Sequence, residues 1–131
     1  GDNMREIFNL KKYDKNSRLK NAINFSKFSE FVTKQKINVI FANIGMFHKA
    51  RNRNKNKITN YVEIYIEAKL KKIIQKGKKK TYKKNNTNIV GKDIVPELPK
   101  SPHIKIRNDF RKNVNQLSDE VLKKMNKLIK E

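Results

Sequence analysis

Two histidines and twelve carboxylates are the side chains in this 131-residue sequence best suited to proton transfer, and they are not grouped for it. His48 and His103 stand apart, each among basic residues. Glu63 and Glu67 have i,i+4 spacing, which puts both on one face of a helix. An ion pair or a solvated pair explains that spacing better than general acid–base work. No nucleophile is placed beside a base and no H-E-x-x-H run is present. Gly45, Gly77 and Gly91 are isolated rather than gathered into a phosphate loop. The absence of cysteine excludes a disulfide framework and a cysteine-ligated zinc site. On these residues the sequence predicts no catalysis, no cofactor and no metal.

The chemistry that the sequence does offer is anion binding. Lys and Arg number 33 against 12 Asp and Glu, for a formal charge of +21. Self-repulsion at that density opposes a compact isolated fold, and a polyanion would relieve it by releasing its counterions. His48–Lys57, HKARNRNKNK, interleaves cations with Asn. It reads as a phosphate-contacting turn, with Arg51 and Arg53 giving forked contacts and Lys49, Lys55 and Lys57 giving point charges. The competing reading is a solvated loop. In Glu97–Phe110, ELPKSPHIKIRNDF, Pro99 and Pro102 keep the backbone extended. Lys100, His103, Lys105 and Arg107 are then donors along a ribbon that suits a phosphate backbone. A plain basic linker is the alternative there. Lys76–Asn88 is a low-complexity basic run in which Tyr82 can stack on a base.

Several elements position these runs. Residues 1–16 read as an irregular arm, with one short helix as the alternative and Met4, Ile7, Phe8, Leu10 and Tyr13 as scattered apolar positions. Ser17 is expected to cap a helix from Arg18, with Leu19, Ala22, Ile23, Phe28, Phe31 and Val32 at helical spacing. Ile37–Phe47 is the most apolar stretch and fits a buried helix or a strand. Thr59 is expected to cap a helix near 59–75, with Ile58, Tyr61, Val62, Tyr65, Ala68 and Ile73 as its stripe and Gly77 at its end. A last helix near 118–130 starts from Ser118, with Val121, Leu122, Met125, Leu128 and Ile129 on one face. No run approaches the ~20 apolar residues needed to span a bilayer. The abundance of Lys, Asn and Ile is that of an AT-rich genome. The chain opens on Gly1 rather than Met, which reads as a processed or trimmed product.

From His48 onward the order of features resembles the zinc-free bacterial-type family of small-subunit ribosomal protein number fourteen. Leu70, Lys71, Lys72, Ile73 and Ile74 are similar to that family's L-K-x-I-I turn. Leu98, Pro99, Lys100, Ser101, Pro102, His103, Ile104, Lys105, Ile106, Arg107 and Asn108 resemble its L-P-R-x-S-S-P-x-R-x-R-N ribbon, one residue short. Arg111 and Lys112 correspond to its R-K-F, and Leu117, Ser118, Leu122 and Lys123 to its L-S-R-I-x-L-R. The family's T-G-R-P-R-G turn has no counterpart. The resemblance implies a mainly α, non-globular chain with extended irregular segments threaded through RNA, residues 1–47 being an N-terminal extension and 48–131 the ribosomal-protein-like region. It implies a structural constituent of an organellar small ribosomal subunit, mitochondrial or else plastid, with no enzyme activity. Its partners would be ribosomal RNA and neighbouring ribosomal proteins, with no membrane and no small-molecule substrate. The implied RNA contacts add Ser101, Asn108, Arg111 and Lys112 to the cations named above.

Two other classes compete. Thr87–Ile94 resembles the loop and helix start that close a histone fold, with the helix from Thr59 as its central helix, although Pro96, Pro99 and Pro102 would break the next helix. The chain also fits a basic accessory subunit of some other assembly.

Overall fold

In the computed structural model, which describes residues 2–76 and 87–130, the chain divides into two units. One takes residues 1–61 and 87–98, the other residues 62–86 and 99–131. Among the described residues the elements run α1 (Asp2–Ile7), α2 (Lys15–Lys34), α3 (His48–Lys57), β1 (Ile64–Glu67), α4 (Leu70–Gln75), β2 (Ile104–Arg107) and α5 (Val114–Lys130). The mainly α, RNA-threaded chain expected from the sequence is thereby corrected to an α/β chain with a small parallel sheet.

In the first unit, α1 is closed by Asn9 in the left-handed region at φ 50°. The N-cap of α2 is Asp14, whose Oδ1 accepts the Ser17 N–H at 2.9 Å. Ser17 is therefore the capped residue rather than the cap, and the helix starts three residues before the expected position. A carboxylate suits this place because it also meets the positive end of the helix dipole. The bond from the Ser17 N–H holds the Asp14 carboxyl below its ordinary pKa. The aromatic residues of α2 divide: Phe25 packs on Phe41 and Phe8, Phe8 also meets Phe28, and Phe31 is 64% exposed.

Residues 37–47 form neither helix nor strand; they run out to Met46 and Phe47, which are buried. These two form a core cluster with Ile94, and Leu19, Ala22, Ala50 and Val90 pack around it. Basic as it is, HKARNRNKNK is the helix α3 and not a turn. Lys and Arg are good helix formers, and the run contains no β-branched residue, Gly or Pro to break it. Ala50 faces the core cluster, while Ser26 of α2 bonds Asn54 of α3. Residues 87–98 return to this unit through a turn. Its Ile89 carbonyl accepts the N–H of Asp93 at 2.8 Å, and Asp93 Oδ2 accepts the N–H of Ile89 at 3.0 Å. Gly91 sits at φ 89°, which a side chain would strain. No helix follows the turn, so the histone-like reading fails.

In the second unit β1 pairs with β2 in parallel, Ile64 opposite Ile104 and Glu67 opposite Arg107. The helix expected near 59–75 is broken. Asn60 turns the chain at φ 58°, Ile64–Glu67 is a strand, and only Leu70–Gln75 is helical. The cause is legible in Val62-Glu63-Ile64-Tyr65-Ile66-Glu67, where apolar positions recur every second residue and β-branched and aromatic side chains dominate. The ribbon at 104–107 is the partner strand, with Ile104 and Ile106 buried beneath α5 and Lys105 and Arg107 facing outward. Ile106 has no exposed surface.

Helix α5 begins at Val114, four residues before the expected start. Asn113 Oδ1 accepts the Gln116 N–H and Gln116 Oε1 accepts the Asn113 N–H, both at 2.9 Å. That reciprocal pair is a capping box. The expected helix stop at Gly77 and the Tyr82 stacking position lie outside the described residues. Among the described residues no helix is long and apolar enough to cross a membrane.

Replacing the true cap, Asn113→Ala, is expected to cost about 1 kcal/mol in urea unfolding, against nearly none for Ser118→Ala. Equal losses would contradict the assigned start of α5. Ile106→Ala is expected to cost about 2–5 kcal/mol by the same measurement.

Candidate functional site

Three side chains of the first unit gather where α1 ends and α2 begins. The Arg5 guanidinium lies 3.9 Å from the centroid of the Tyr13 ring, and that of Arg18 lies 5.2 Å from the same ring. Cation–π attraction holds both groups there. Neither forms an ion pair with a carboxylate among the described residues; both donate to main-chain carbonyls. Arg5 donates to the carbonyls of Leu10 and Lys12, each at 2.6 Å. Arg18 donates to the carbonyl of Tyr13 at 2.6 Å and to that of Asn88 at 3.1 Å. The turn that ends α1 at Asn9 returns the chain so that these carbonyls face Arg5.

The electrostatics favour a negative ligand. Burial, and then the nearby charge of Arg5, lower the Arg18 pKa from its ordinary value. Two guanidinium groups share one ring, and although the nearby Asp14 carboxylate partly offsets their charge at Arg18, an anion bound between them would relieve their repulsion further. Donor capacity remains as well. Arg5 Nε is buried and has no hydrogen-bond partner. Asn21, one helical turn beyond Arg18, is 8% exposed. Arg5 and Asn21 went unremarked in the sequence reading, which counted Tyr13 among the apolar positions of an arm at 1–16 and gave Arg18 only as the start of a helix. The available signal was R-x₇-Y-x₄-R across a turn, which gains meaning only when α1 is seen to end at residue 7.

The residues expected to bind RNA fall into two sets, one in each unit. On α3, Arg51 is 8% exposed and donates to the carbonyls of Gly45 and Glu97 and to His48 Nδ1. Arg53 bonds Glu30 and Ser26 of α2. These two arginines act inside the protein. Lys49, Lys55 and Lys57 are exposed. In the second unit Lys100 and Ser101 are exposed, and His103 Nδ1 accepts the Glu63 N–H at 2.9 Å, which extends the strand pairing by one step. Lys105 pairs with Glu67 at 3.0 Å, and Arg107 faces outward. Asn108 Oδ1 accepts the Phe110 N–H, Arg111 bonds Asp109 and Lys112 bonds Glu120. Among the described residues no cluster of His, Cys, Asp or Glu is arranged as a metal site.

This arrangement suits an α/β protein that handles a small anionic ligand. The family described as adenylylsulphate kinase matches residues 1–107. A cytidine diphosphoramidate kinase of Campylobacter jejuni subsp. jejuni is 33% identical over 129 residues, covering 95% of this chain and 75% of that protein. No solved structure matches the chain. The chain belongs to the adenylylsulphate kinase family. The expectations of a ribosomal protein bound to ribosomal RNA, without enzyme activity and without a small-molecule substrate, are overturned by these two matches. The family match takes in residues 1–47 and all four residues of the Arg5–Asn21 group.

One ionisation has a defined consequence. The Arg111 side chain beside it, and then the Arg111 backbone N–H, pull the Asp109 carboxyl from 3.8 to about 2. Because the folded value is depressed, the ionised group favours the fold above pH ~4 and loses that effect as pH falls toward 2. In an NMR titration the Asp109 carboxyl is expected to show a midpoint of about 2. In Arg111→Ala it should return toward 3.8. An unchanged midpoint would remove Arg111 as the cause.

Proposed function

We propose that the protein is a kinase that transfers a phosphoryl group from a nucleoside triphosphate to a hydroxyl of a nucleotide, with cytidine diphosphoramidate as its acceptor. The observation that carries this reading is the match to the cytidine diphosphoramidate kinase along 95% of the chain. The Arg5–Tyr13–Arg18–Asn21 group supports it from the chemical side. Guanidinium forks hold phosphate-type oxygens in a fixed orientation, and Tyr13 adds an aromatic edge beside them. Asn21, one helical turn from Arg18, adds an amide able to donate and accept.

Phosphoryl transfer relies on positioning and on electrostatic stabilisation more than on covalent help from the protein. In the proposed reaction the acceptor hydroxyl oxygen forms a bond to the terminal phosphorus of the donor. The bond from that phosphorus to the bridging oxygen breaks, the nucleoside diphosphate leaves, and the hydroxyl proton is released. Arg5 and Arg18 fix the acceptor's anionic end and so aim its hydroxyl. None of the glycines in these 131 residues forms a G-x-x-x-x-G-K-[ST] run, so the proposal concerns the acceptor side of the reaction. Adenylylsulphate, the acceptor in the family's description, is the second reading; it too would present an anionic group to the two arginines.

The test is formation of the nucleoside diphosphate by the full-length protein given ATP and cytidine diphosphoramidate, with adenylylsulphate as the comparison. Turnover with the cytidine compound is expected, and Arg5→Ala or Arg18→Ala should lower kcat/KM about 10- to 100-fold, the value of one lost charged hydrogen bond. Turnover with adenylylsulphate alone would favour the second reading. No transfer to either nucleotide would overturn the proposal.

A further inference from the structure

The segment 87–98 is fastened at both ends by arginines, and only one of them belongs to the Arg5–Asn21 group. At the leading end Arg18 holds the carbonyl of Asn88. At the trailing end Arg51 holds the carbonyl of Glu97. The trailing attachment is dense. Arg51 also donates to Gly45 O and, at 2.6 Å, to His48 Nδ1. The Glu97 N–H donates to Met46 O at 3.0 Å, and its carboxylate accepts the His48 N–H. Between the two ends the segment is closed into a turn by bonds among Ile89, Gly91, Asp93 and Ile94, with Ile89 and Ile94 buried. Ile94 packs on Met46 and Phe47, the residues that carry the loop into α3.

We propose that Arg51 is a positioning residue for the acceptor site, setting the place of Asn88 and through it the orientation of the Arg18 guanidinium. This rests on the reading of Arg5 and Arg18 as the acceptor's anion site. The physical reason is stiffness. A turn closed by five internal hydrogen bonds and two buried isoleucines moves as a body, and its Ile94 packs on Met46, whose carbonyl Glu97 holds, so a shift at that attachment reaches Asn88. Burial of a guanidinium is also costly unless its donors are well used, and an apolar side chain would fill the same volume more cheaply. An apolar residue would leave the Gly45 and Glu97 carbonyls without their donor. Lysine would keep the charge but not the planar fork that reaches two carbonyls and an imidazole together.

Arg51→Lys and Arg51→Met in the full-length protein test this, with Glu97→Gln as a milder change at the same attachment. Three readouts are compared with the melting temperature: amide exchange at residues 89–94, the Arg18 Nε–H resonance, and KM against kcat for cytidine diphosphoramidate. In Arg51→Lys, exchange at 89–94 is expected to quicken about tenfold, consistent with loss of one or two hydrogen bonds. The Arg18 resonance should shift, and KM should rise by more than kcat falls. Arg51→Met should show the same changes more strongly, and Glu97→Gln more weakly. A lowered melting temperature with the Arg18 resonance and KM unmoved would make Arg51 purely structural and overturn the proposal. If the wild-type protein shows no phosphoryl transfer, the acceptor reading fails by itself; exchange at 89–94 and the Arg18 resonance then still decide whether Arg51 governs Arg18.

Discussion

Excess positive charge is the constraint to which the described parts of this protein respond. Against 33 basic residues there are only 12 acids. Four of the acids each restrain a basic neighbour: Glu30 with Lys34 and Arg53, Glu67 with Lys105, Asp109 with Arg111, and Glu120 with Lys112 and Lys124. The bonds that Lys34 and Lys112 make lower the pKa of Glu30 and Glu120 respectively. Such pairs at a surface contribute little to stability. They limit repulsion, while cohesion comes from burial: Met46, Phe47 and Ile94 in one unit, Ile104 and Ile106 in the other.

Three arginines meet the constraint differently. Arg5, Arg18 and Arg51 spend their donors on main-chain carbonyls. A carbonyl can orient a guanidinium without neutralising it. Arg5 and Arg18 therefore stay charged and fixed beside an aromatic ring, which is the basis of the proposed anion site. Preorganisation of this kind is what phosphoryl transfer asks of a protein, because charge must be met where it develops without rearrangement. Membership of the adenylylsulphate kinase family gives the proposed anion site a chemical setting. The outward cations Lys49, Lys55, Lys57, Lys100 and Arg107 add a long-range field that draws anionic ligands toward the protein.

The resemblance that misdirected the functional reading rested on LPKSPHIKIRN. A short basic ribbon with two prolines is weak grounds in a chain so rich in Lys and Asn, where matches to basic motifs arise from composition. Its isoleucines carried the better clue. Ile104 and Ile106 alternate with Lys105 and Arg107 as a half-buried strand requires, and the same alternation occurs at Ile64 and Ile66. The run from Ile58 to Ile74 is so apolar that helical and strand periods both fit it. A partner 40 residues away settles the question by pairing with Ile64–Glu67. The Arg5–Asn21 group was invisible for a related reason: an arginine at a helix end looks the same whether it faces water or a ring.

By itself the sequence determined the local quantities. These are the charge excess, the apolar character of 37–47, the helical spacing of apolar residues in α2, and the Asn113–Gln116 spacing of a capping box, legible once looked for. They depend on a residue and its near neighbours along the chain. Only the tertiary structure decided that HKARNRNKNK is a packed helix, that Arg51 and Arg53 turn inward, and that Arg5 and Arg18 meet at Tyr13 while Arg18 reaches Asn88. Each of those depends on a surface supplied from elsewhere: Ser26 and Glu30 for α3, Glu97 for Arg51, the turn at 87–94 for Arg18. A guanidinium carries the same charge and donors in every setting, and the position of its acceptors decides whether it braces the fold or waits for a ligand.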